Sequence, residues 1–332
     1  MKSSEAGRSA APSRRRLWAW FSALLGGALV LALVLGGFYA TQTWRSVDAI
    51  TRTPDLLPTA DPIDTARPEP TATAPGSLNY VLMGSDSRGG DRGRSDVLML
   101  AHVTPERDRV YLISFTRDMW VDIPGRGFAK INAAYAYGGA PLAVRTVESL
   151  VGVRMDHAVV IDFTGFAGLT EALGGVTVDN AVASSSEGYS WPAGEITLSG
   201  DEALAYVRQR YELPEGDLDR AERQRTVVKA ALTKLTSAGV LANPAKFTEM
   251  TGLLSQYVTV DEGLTTDELF STASSMRITG SDDIRQLQAP ISGFRRTSDG
   301  QAVNIVDEEN LAQLAAAIRE GTMDDYWAAH HS

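Results

Sequence analysis

The chain of 332 residues contains no cysteine, so neither disulfide bonds nor a thiolate nucleophile is available to it. Its four histidines, at positions 102, 157, 330 and 331, lack metal-binding spacing, and the sequence holds neither a P-loop nor a G-x-S-x-G motif. These absences argue against the common zinc, nucleotide-binding and serine-hydrolase sites. Carboxylates and arginines remain as the candidates for chemistry.

Charge is missing from one long segment, residues 17–40, which read LWAWFSALLGGALVLALVLGGFYA. As a helix this segment would reach roughly 36 Å, enough to cross a hydrocarbon core of about 30 Å. Residues 1–16 carry Arg14, Arg15 and Arg16, and Glu5 is their one acid. Because positive residues stay cytoplasmic, the pattern predicts a single-pass protein of the cell membrane with a cytoplasmic N-terminus and an extracytoplasmic remainder. The alternative, a cleaved signal peptide, fits less well because the apolar run is too long.

Basic residues are scarce beyond the predicted anchor. Five of the 31 Lys and Arg and one of the 41 Asp and Glu lie in the first sixteen positions, which leaves 26 basic against 40 acidic residues and a net charge of −14. Nucleic acid is therefore not an expected partner, because binding to phosphate backbones requires a basic face.

Composition divides the remainder into two parts. Residues 41–77 are rich in Pro, Thr, Ala and Asp and are interpreted as a partly extended stalk. Residues 78–332 form one predicted extracytoplasmic domain, in which short apolar runs at 79–85, 96–103, 109–115 and 157–163 indicate strands. Helical patterns follow at 141–151, 164–173, 200–210, 220–239, 244–257, 265–276 and from Glu308 onward, with a further strand near 285–290. Strands interleaved with helices predict an α/β layer fold with helices packed on a central sheet.

The first predicted strand runs into the sequence GSDSRGGDRGRSD, which places Asp86, Arg88, Arg94 and Asp96 near the ends of adjacent strands. Ligands of open α/β sheets commonly bind at such an edge. Two neighbouring carboxylates suit Mg²⁺, which accepts one or two carboxylates together with phosphate oxygens. The alternative is an Asp- and Gly-rich turn with solvated charges.

Arginine is concentrated in a second region, RQRYELPEGDLDRAERQR at 208–225. Arg220, Arg223 and Gln224 are expected on one face of a helix, and Arg208 and Arg210 end the helix before it. Asp217 suits the first turn of the later helix. Salt-bridged exposed helices are the plain alternative, but arginine fills nearly every basic position, and its planar fork suits phosphate. A third candidate site follows the strand 109–115 and consists of Arg117 and Asp118. Considered alone, this pair is interpreted as a surface ion pair.

Five ordered motifs together resemble the LytR-CpsA-Psr family. They span about residues 78–240 and read GSDSR with GRSDVLML, ISFTRDMWVDIPG, KINAAYAYGG, LSGDEALAYVRQR and GDLDRAERQR. The resemblance implies a three-layer α/β/α sandwich with a central mixed sheet behind one transmembrane helix. It also implies transfer of a glycopolymer from a polyprenyl-pyrophosphate carrier, the donor, to peptidoglycan, the acceptor, at the bilayer and with Mg²⁺.

Matched motif by motif, the resemblance assigns roles to individual residues. Asp86 and Asp96 would hold the metal, Asp96 and Arg117 would act in catalysis, and Asp217 and Arg223 would orient the site. The pyrophosphate would be surrounded by Arg88, Arg94, Arg117, Arg208, Arg210, Arg220 and Gln224. KINAAYAYGG is assigned mainly to folding, although its Asn132 could reach the site.

Three positions depart from the family pattern: Thr116 replaces a proline, Asp219 a glycine and Arg225 a glutamine. Two other functions stay open at this point. One is a hydrolase that cleaves the polyprenyl pyrophosphate, because the same arginines and metal would serve water as nucleophile. The other is a polyprenyl-phosphate-binding or regulatory module without turnover.

Overall fold

The computed structural model describes residues 41–42, 44–59, 67–69, 74–85, 95–237 and 243–330, with only the backbone for residues 96, 244 and 247. The predicted anchor, residues 17–40, lies outside this part of the chain. Within the described ranges, no helix combines the length and the apolar character needed to cross a bilayer.

Strands in chain order are β1 (Thr51–Thr53), β2 (Leu78–Ser85), β3 (Ser95–Val103), β4 (Val110–Ser114), β5 (Met119–Ile123), β6 (Gly127–Lys130), β7 (His157–Asp162), β8 (Val176–Asn180), β9 (Ser184–Ser186), β10 (Tyr189–Trp191), β11 (Gly194–Leu198), β12 (Val258–Asp261), β13 (Ile284–Gln288), β14 (Ile291–Arg296) and β15 (Ala302–Val306). Helices from residue 133 onward are α1 (Ala133–Val151), α2 (Phe163–Ala172), α3 (Gly200–Arg208), α4 (Asp217–Leu235), α5 (Pro244–Tyr257), α6 (Thr266–Ser275), α7 (Glu308–Glu320) and α8 (Met323–His330). Short 3-10 turns cover Pro54–Leu56 and Ser281–Asp283.

The central sheet has seven strands in the order β1-β12-β7-β2-β3-β4-β13. It is mixed, since β2 runs parallel to β7 and antiparallel to β3, while β4 is antiparallel to β3 and parallel to β13. Consequently the ends of β2, β4 and β7 and the start of β3 meet at one edge. The prediction of a mixed α/β fold with a large central sheet is confirmed.

Both faces of the central sheet are covered because alternate side chains point to opposite sides. On one face Val81, Met83 and Leu100 pack with α1 and α7 in the largest apolar core. On the other face Leu82 and Leu112 pack with Val228 and Leu232 of α4. The strand residues Leu100 and Leu112 are fully buried, as expected of strands with helices on either side.

A second sheet has four strands in the order β14-β15-β5-β6. Two of them, β5 and β6, directly follow β4 of the central sheet along the chain. Met119, Val121 and Ile123 of β5 alternate into the main core, whereas Asp122 is exposed on the other face. Asn304 of β15 donates a hydrogen bond to the hydroxyl of Thr116, with Nδ2 2.8 Å from Oγ1. That bond fixes the second sheet to the turn that follows β4.

Part of the segment interpreted as a stalk is folded onto the domain. Residues 44–48 are helical, and β1 pairs in parallel with β12, Thr51 opposite Thr259. Val47 and Ile50 are buried against Val260 and Leu264. The described residues 44–57 therefore contribute an edge strand and apolar contacts to the domain.

Candidate functional site

The edge where β2, β4 and β7 end collects polar side chains from several elements. Ser85 and Ser95 are paired across β2 and β3, and Ser114 ends β4. All three serines are buried. The chain then turns after Ser114 through Phe115 and Thr116 and brings Arg117 to this edge.

Arg117 contacts the first turn of α4 through Asp217. Its Nε lies 3.4 Å from Asp217 Oδ1. Arg220 forms an ion pair with the same carboxylate oxygen, so one carboxylate contacts two guanidinium groups. Burial raises the pKa of Asp217, although the charges of Arg220 and Arg117 oppose the shift. The contacts of Asp217 therefore join the turn after β4 to α4, and its orienting role stays a prediction.

Gly216 makes this arrangement possible at the start of α4. Its φ of +58° lies in the left-handed region, which is readily open to glycine alone. Asp217 and Asp219 occupy the first helical turn, where the partial positive charge of the helix N-terminus favours carboxylates. The helix begins at Asp217, three residues before the helical pattern 220–239 that the sequence shows.

Arg208 and Arg210 approach the same region from the end of α3. The guanidinium of Arg208 lies 4.8 Å from the ring centre of Phe163, the first residue of α2. Arg210 lies 5.5 Å from the ring centre of Tyr211, which is 79% exposed. Both contacts are cation–π interactions, which position the guanidinium planes without neutralising their charge.

A cavity of about 470 Å³ joins these side chains to an apolar interior. Five of the predicted pyrophosphate-binding residues line it, namely Arg117, Arg208, Arg210, Arg220 and Gln224. Its remaining walls come mainly from apolar side chains of the sheet and of α2, α3 and α4, among them Leu82, Met99, Phe166, Leu204 and Val228. The cavity therefore combines a cationic rim with an apolar lining, which suits an amphiphile with an anionic head.

Gln224 is held inside the cavity by the backbone. Its side-chain amide donates a hydrogen bond to the carbonyl oxygen of Val207, over 3.2 Å. This bond connects α4 to the last turn of α3. The amide thus positions the helix that carries Arg208 relative to the helix that carries Arg220.

Arg223 is not among the residues that line the cavity within the described part of the chain. Its guanidinium donates hydrogen bonds to Gln209 Oε1 at 2.6 Å, Ser184 Oγ at 2.8 Å and Asn180 Oδ1 at 3.2 Å. It also stacks 4.2 Å from the ring centre of Tyr206, and burial lowers its pKa. The structure therefore separates Arg223 from Arg220 and Gln224, contrary to the shared face expected from the sequence.

Arg225, one of the departures from the family pattern, points toward the central sheet. It is buried and donates a hydrogen bond to the hydroxyl of Ser114 at the end of β4. Burial lowers the pKa of Arg225 to about 10. A cation thus lies beneath the sheet edge at a position that the sequence analysis did not assign to the site.

Asp86, Arg88 and Arg94 lie outside the described residues, as does the side chain of Asp96. The backbone of Asp96 follows Ser95 at the start of β3, and Ser95 pairs with Ser85. The connection that carries the other three residues thus starts and ends at this edge. Within the described ranges, no three or more acidic or histidine side chains are gathered as a metal site.

A second cleft of about 420 Å³ also reaches Arg117. Trp120, Phe128, Lys130 and Tyr137 line it, and so does Asn132, the residue thought able to reach the site. The strand that places Trp120 was not predicted. The alternation of MWVDI, with apolar side chains at every second position, was the signal that could have revealed it.

The model of the LytR_cpsA_psr family matches residues 57–320. A teichoic acid transferase of Enterococcus faecalis, named polyisoprenyl-teichoic acid–peptidoglycan teichoic acid transferase TagU, is 32% identical over 305 residues, which cover 90% of this chain and 96% of the relative. The protein of the same name from Bacillus subtilis is 34% identical over 295 residues, covering 87% and 92%.

The fold is also that of a solved structure, B. subtilis TagV. It superimposes with a TM-score of 0.66 at 27% sequence identity, covering 74% of this chain and 96% of the TagV chain. The chain belongs to the LytR-CpsA-Psr family.

Proposed function

We propose that this LytR-CpsA-Psr protein transfers a glycopolymer from a polyprenyl-pyrophosphate carrier to a sugar hydroxyl of peptidoglycan. The observation that carries the proposal is the cavity with an arginine rim and an apolar interior. A polyprenyl pyrophosphate has the matching division into an anionic head and an apolar chain. The names of the two TagU relatives, which describe transfer of teichoic acid to peptidoglycan, support the same reaction class.

In the proposed reaction, the acceptor hydroxyl oxygen bonds to the sugar-side phosphorus. The bond between that phosphorus and the bridging oxygen breaks, polyprenyl phosphate leaves, and the hydroxyl proton passes to a base. The product is a phosphodiester between glycopolymer and acceptor. Arg117, Arg208, Arg210 and Arg220, which line the cavity, are proposed to stabilise charge on the pyrophosphate and on the leaving phosphate. Such charge stabilisation is the main work in phosphoryl transfer.

Asp217 is proposed to position Arg117 and Arg220, because its carboxylate contacts both. Arg88 and Arg94 are proposed as further pyrophosphate ligands on the connection between β2 and β3. Asp96 is proposed as the base where a metal does not engage it fully.

Mg²⁺ is the proposed cofactor, with Asp86 and Asp96 as its protein ligands. Asp86 follows Ser85 in the sequence and Asp96 follows Ser95, and these two serines are paired at the sheet edge. Mg²⁺ takes one or two carboxylates and fills its other positions with water and phosphate oxygens. When bound, Mg²⁺ would supply charge neutralisation on the pyrophosphate.

Residues 17–40 are proposed as a membrane anchor, with residues 1–16 in the cytoplasm and the domain on the outer side. The anchor would keep the opening of the cavity near the bilayer, where the lipid carrier lies. Anchoring thereby raises the effective concentration of domain and carrier for one another.

The test is product analysis with the full chain in detergent micelles, Mg²⁺, a polyprenyl-pyrophosphate saccharide and peptidoglycan fragments. A phosphodiester-linked product is expected from the unaltered chain, and a large loss of product is expected for Arg117→Ala. Arg277→Ala is the matched control, because Arg277 is an exposed arginine that lines neither the cavity nor the second cleft.

Other results would point to other functions. Release of free sugar phosphate in the presence of acceptor would identify a hydrolase. Tight lipid binding without either product would identify a binding module.

A further inference from the structure

A second cleft lies beside the arginine cavity and shares one described lining residue with it, Arg117. We call it the aromatic cleft, and its floor and walls include Trp120, Phe128, Asn132, Tyr137 and Gln301. Its volume of about 420 Å³ lies within the range of roughly 300–1,000 Å³ that is usual for small-molecule sites.

The aromatic cleft exposes flat apolar rings to solvent. Phe128 is 64% exposed and Tyr137 is 47% exposed. The rings of Trp120 and Phe128 stack across β5 and β6, with centres 6.4 Å apart and planes inclined by 23°. Large apolar side chains exposed as a group are unusual on a soluble surface and mark binding sites.

Charges within the aromatic cleft are balanced. Lys130 Nζ lies 2.9 Å from Asp118 Oδ1, and Arg117 Nε lies 3.8 Å from the same atom. Asp299 accepts a hydrogen bond of 2.6 Å from Gln301 Nε2. Two cations face two carboxylates, so the cleft does not select a polyanion or a polycation. Amide and carboxylate groups beside aromatic rings suit a neutral ligand with hydroxyl edges and an apolar face, which describes a sugar ring.

The position of the aromatic cleft fits one of the two saccharides in the reaction. In phosphoryl transfer the attacking and leaving oxygens lie roughly in line on either side of phosphorus. The leaving polyprenyl phosphate would occupy the apolar cavity, and the aromatic cleft reaches Arg117 separately. The attacking hydroxyl is therefore expected from the aromatic cleft.

We propose that the aromatic cleft binds a neutral amino sugar of the acceptor glycan strand, with its ring against Phe128 and Trp120 and its polar edge toward Asn132 and Gln301. This inference rests on the proposed transferase function, since it names the site for that reaction's acceptor. The donor's own saccharide is the competing source of the same chemistry. An acceptor held here places its hydroxyl next to Arg117.

The first experiment measures binding of tetra-N-acetylchitotetraose to the full chain in detergent micelles without donor, by saturation-transfer NMR and calorimetry. Binding is expected, and Phe128→Ala should raise the Kd about tenfold or more, equivalent to about 1.4 kcal/mol. Phe294→Ala is the matched control, because Phe294 is 70% exposed on β14 of the same sheet but does not line the cleft. Failure of the unaltered chain to bind the tetrasaccharide would overturn the proposal.

The second experiment measures transfer kinetics with a soluble glycan acceptor. Phe128→Ala should raise the KM for acceptor about tenfold, with the Kd for a polyprenyl-pyrophosphate saccharide unaffected. If Phe128→Ala instead raises the Kd for the polyprenyl-pyrophosphate saccharide and leaves the KM for acceptor unchanged, the cleft binds the donor's saccharide, and the proposal is overturned.

The two proposals fail separately. Transfer that is insensitive to both Phe128→Ala and Trp120→Ala would reject the acceptor site and keep the transferase. Tetrasaccharide binding at Phe128 in a chain that never transfers would reject the transferase and keep a saccharide site.

Discussion

Arg117 and Asp217, far apart in sequence, meet where the turn after β4 faces the first turn of α4, with Nε 3.4 Å from Oδ1. Arg220 contacts the same carboxylate. The contact joins the turn after β4 of the central sheet to α4, the helix that carries Arg220 and Gln224 of the cavity lining. It also lies where the arginine cavity and the aromatic cleft adjoin, so the position of one guanidinium affects both.

The first prediction concerns the carboxylate that holds these guanidinium groups. Asp217→Asn keeps the shape of the side chain but removes the charge that Arg117 and Arg220 share. We expect the kcat of transfer to fall about ten- to a hundredfold, because small displacements of positioning groups have effects of this size. The free energy of unfolding should change by less than about 1 kcal/mol, since burial already disfavours the ionised carboxylate.

Asp219→Asn is the control for Asp217→Asn. Asp219 lies in the same helical turn but accepts a backbone hydrogen bond from Glu215 and does not line the cavity. Full transfer activity in Asp217→Asn would show that the arginines hold their positions without this carboxylate.

Sequence patterns predicted the buried strands and most helices because apolar periodicity follows directly from burial on a layered sheet. The helix at 244–257 has the expected bounds, whereas α1 begins at Ala133 rather than 141. The predicted helix starts at Pro141, whereas the helix of the structure starts earlier and continues across a kink at Gly139, which has a φ of +70°. Tertiary packing of Ala134 in the main core stabilises the extra turns.

Other features could not be predicted from local patterns. The second sheet pairs β5 with β15, which lie far apart in the sequence, and its strands β6 and β14 contain polar and glycine residues. The direction of Arg223 depends on Gln209, Ser184 and Asn180, which come from separate elements. Side chains three residues apart on a helix, such as Arg220 and Arg223, point in directions that differ by about 60°, so they can contact different partners.

A second prediction separates Arg220 from Arg223. Arg223→Ala should lower the free energy of unfolding by about 2–4 kcal/mol, because it leaves buried acceptors without their charged donor. Arg220→Ala should instead weaken donor binding, because Arg220 lines the cavity. Denaturant unfolding and donor titration on both variants test this. Equal effects on both quantities for the two variants would contradict the separation seen in the structure.

A third prediction concerns a buried ion pair between Arg67 and α1. Arg67 Nη2 lies 2.6 Å from Glu148 Oε1, and the Glu148 side chain is 1% exposed. Glu148 also accepts a hydrogen bond from the backbone of Met155. Glu148→Ala should therefore destabilise the fold by about 3–5 kcal/mol, the usual effect of leaving one partner of a buried pair uncompensated.

Chemical denaturation measures the Glu148→Ala effect, with Asp108→Ala as control. Asp108 Oδ2 lies 3.8 Å from Arg109 Nη1, and the Asp108 side chain is 46% exposed. We therefore expect Asp108→Ala to change the free energy of unfolding by less than about 1 kcal/mol. Similar losses for the two variants would indicate that the Arg67 contact adds nothing to stability.

The last prediction concerns pH and the buried His102 of β3. Burial, with a smaller contribution from the charge of Arg107, lowers the pKa of His102 from 6.5 to about 4. Nδ1 lies 2.8 Å from Asn79 Oδ1, so the neutral ring donates this hydrogen bond. The unfolded chain takes up a proton near pH 6.5, whereas the folded chain does so only near pH 4. This histidine therefore costs no stability above pH 6.5, and the folded state loses stability relative to the unfolded state as pH falls toward 4. The loss approaches about 1.4 kcal/mol per pH unit and about 3 kcal/mol in all.

His102→Asn tests this, because its side-chain amide can replace Nδ1 as the donor to Asn79 but does not titrate. The free energy of unfolding of the unaltered chain, minus that of the variant, should be constant above pH 7. It should decrease as pH falls from 6.5 to 4, because only the unaltered chain loses the contribution of His102. Subtracting the free energy of the variant removes the contributions of other titrating groups, including His157. Burial alone would lower the pKa of His157, but its hydrogen bond to Asp261 and the surrounding carboxylates outweigh burial and raise it. A pH-independent difference would mean that His102 accepts a proton in the folded state as readily as in the unfolded one.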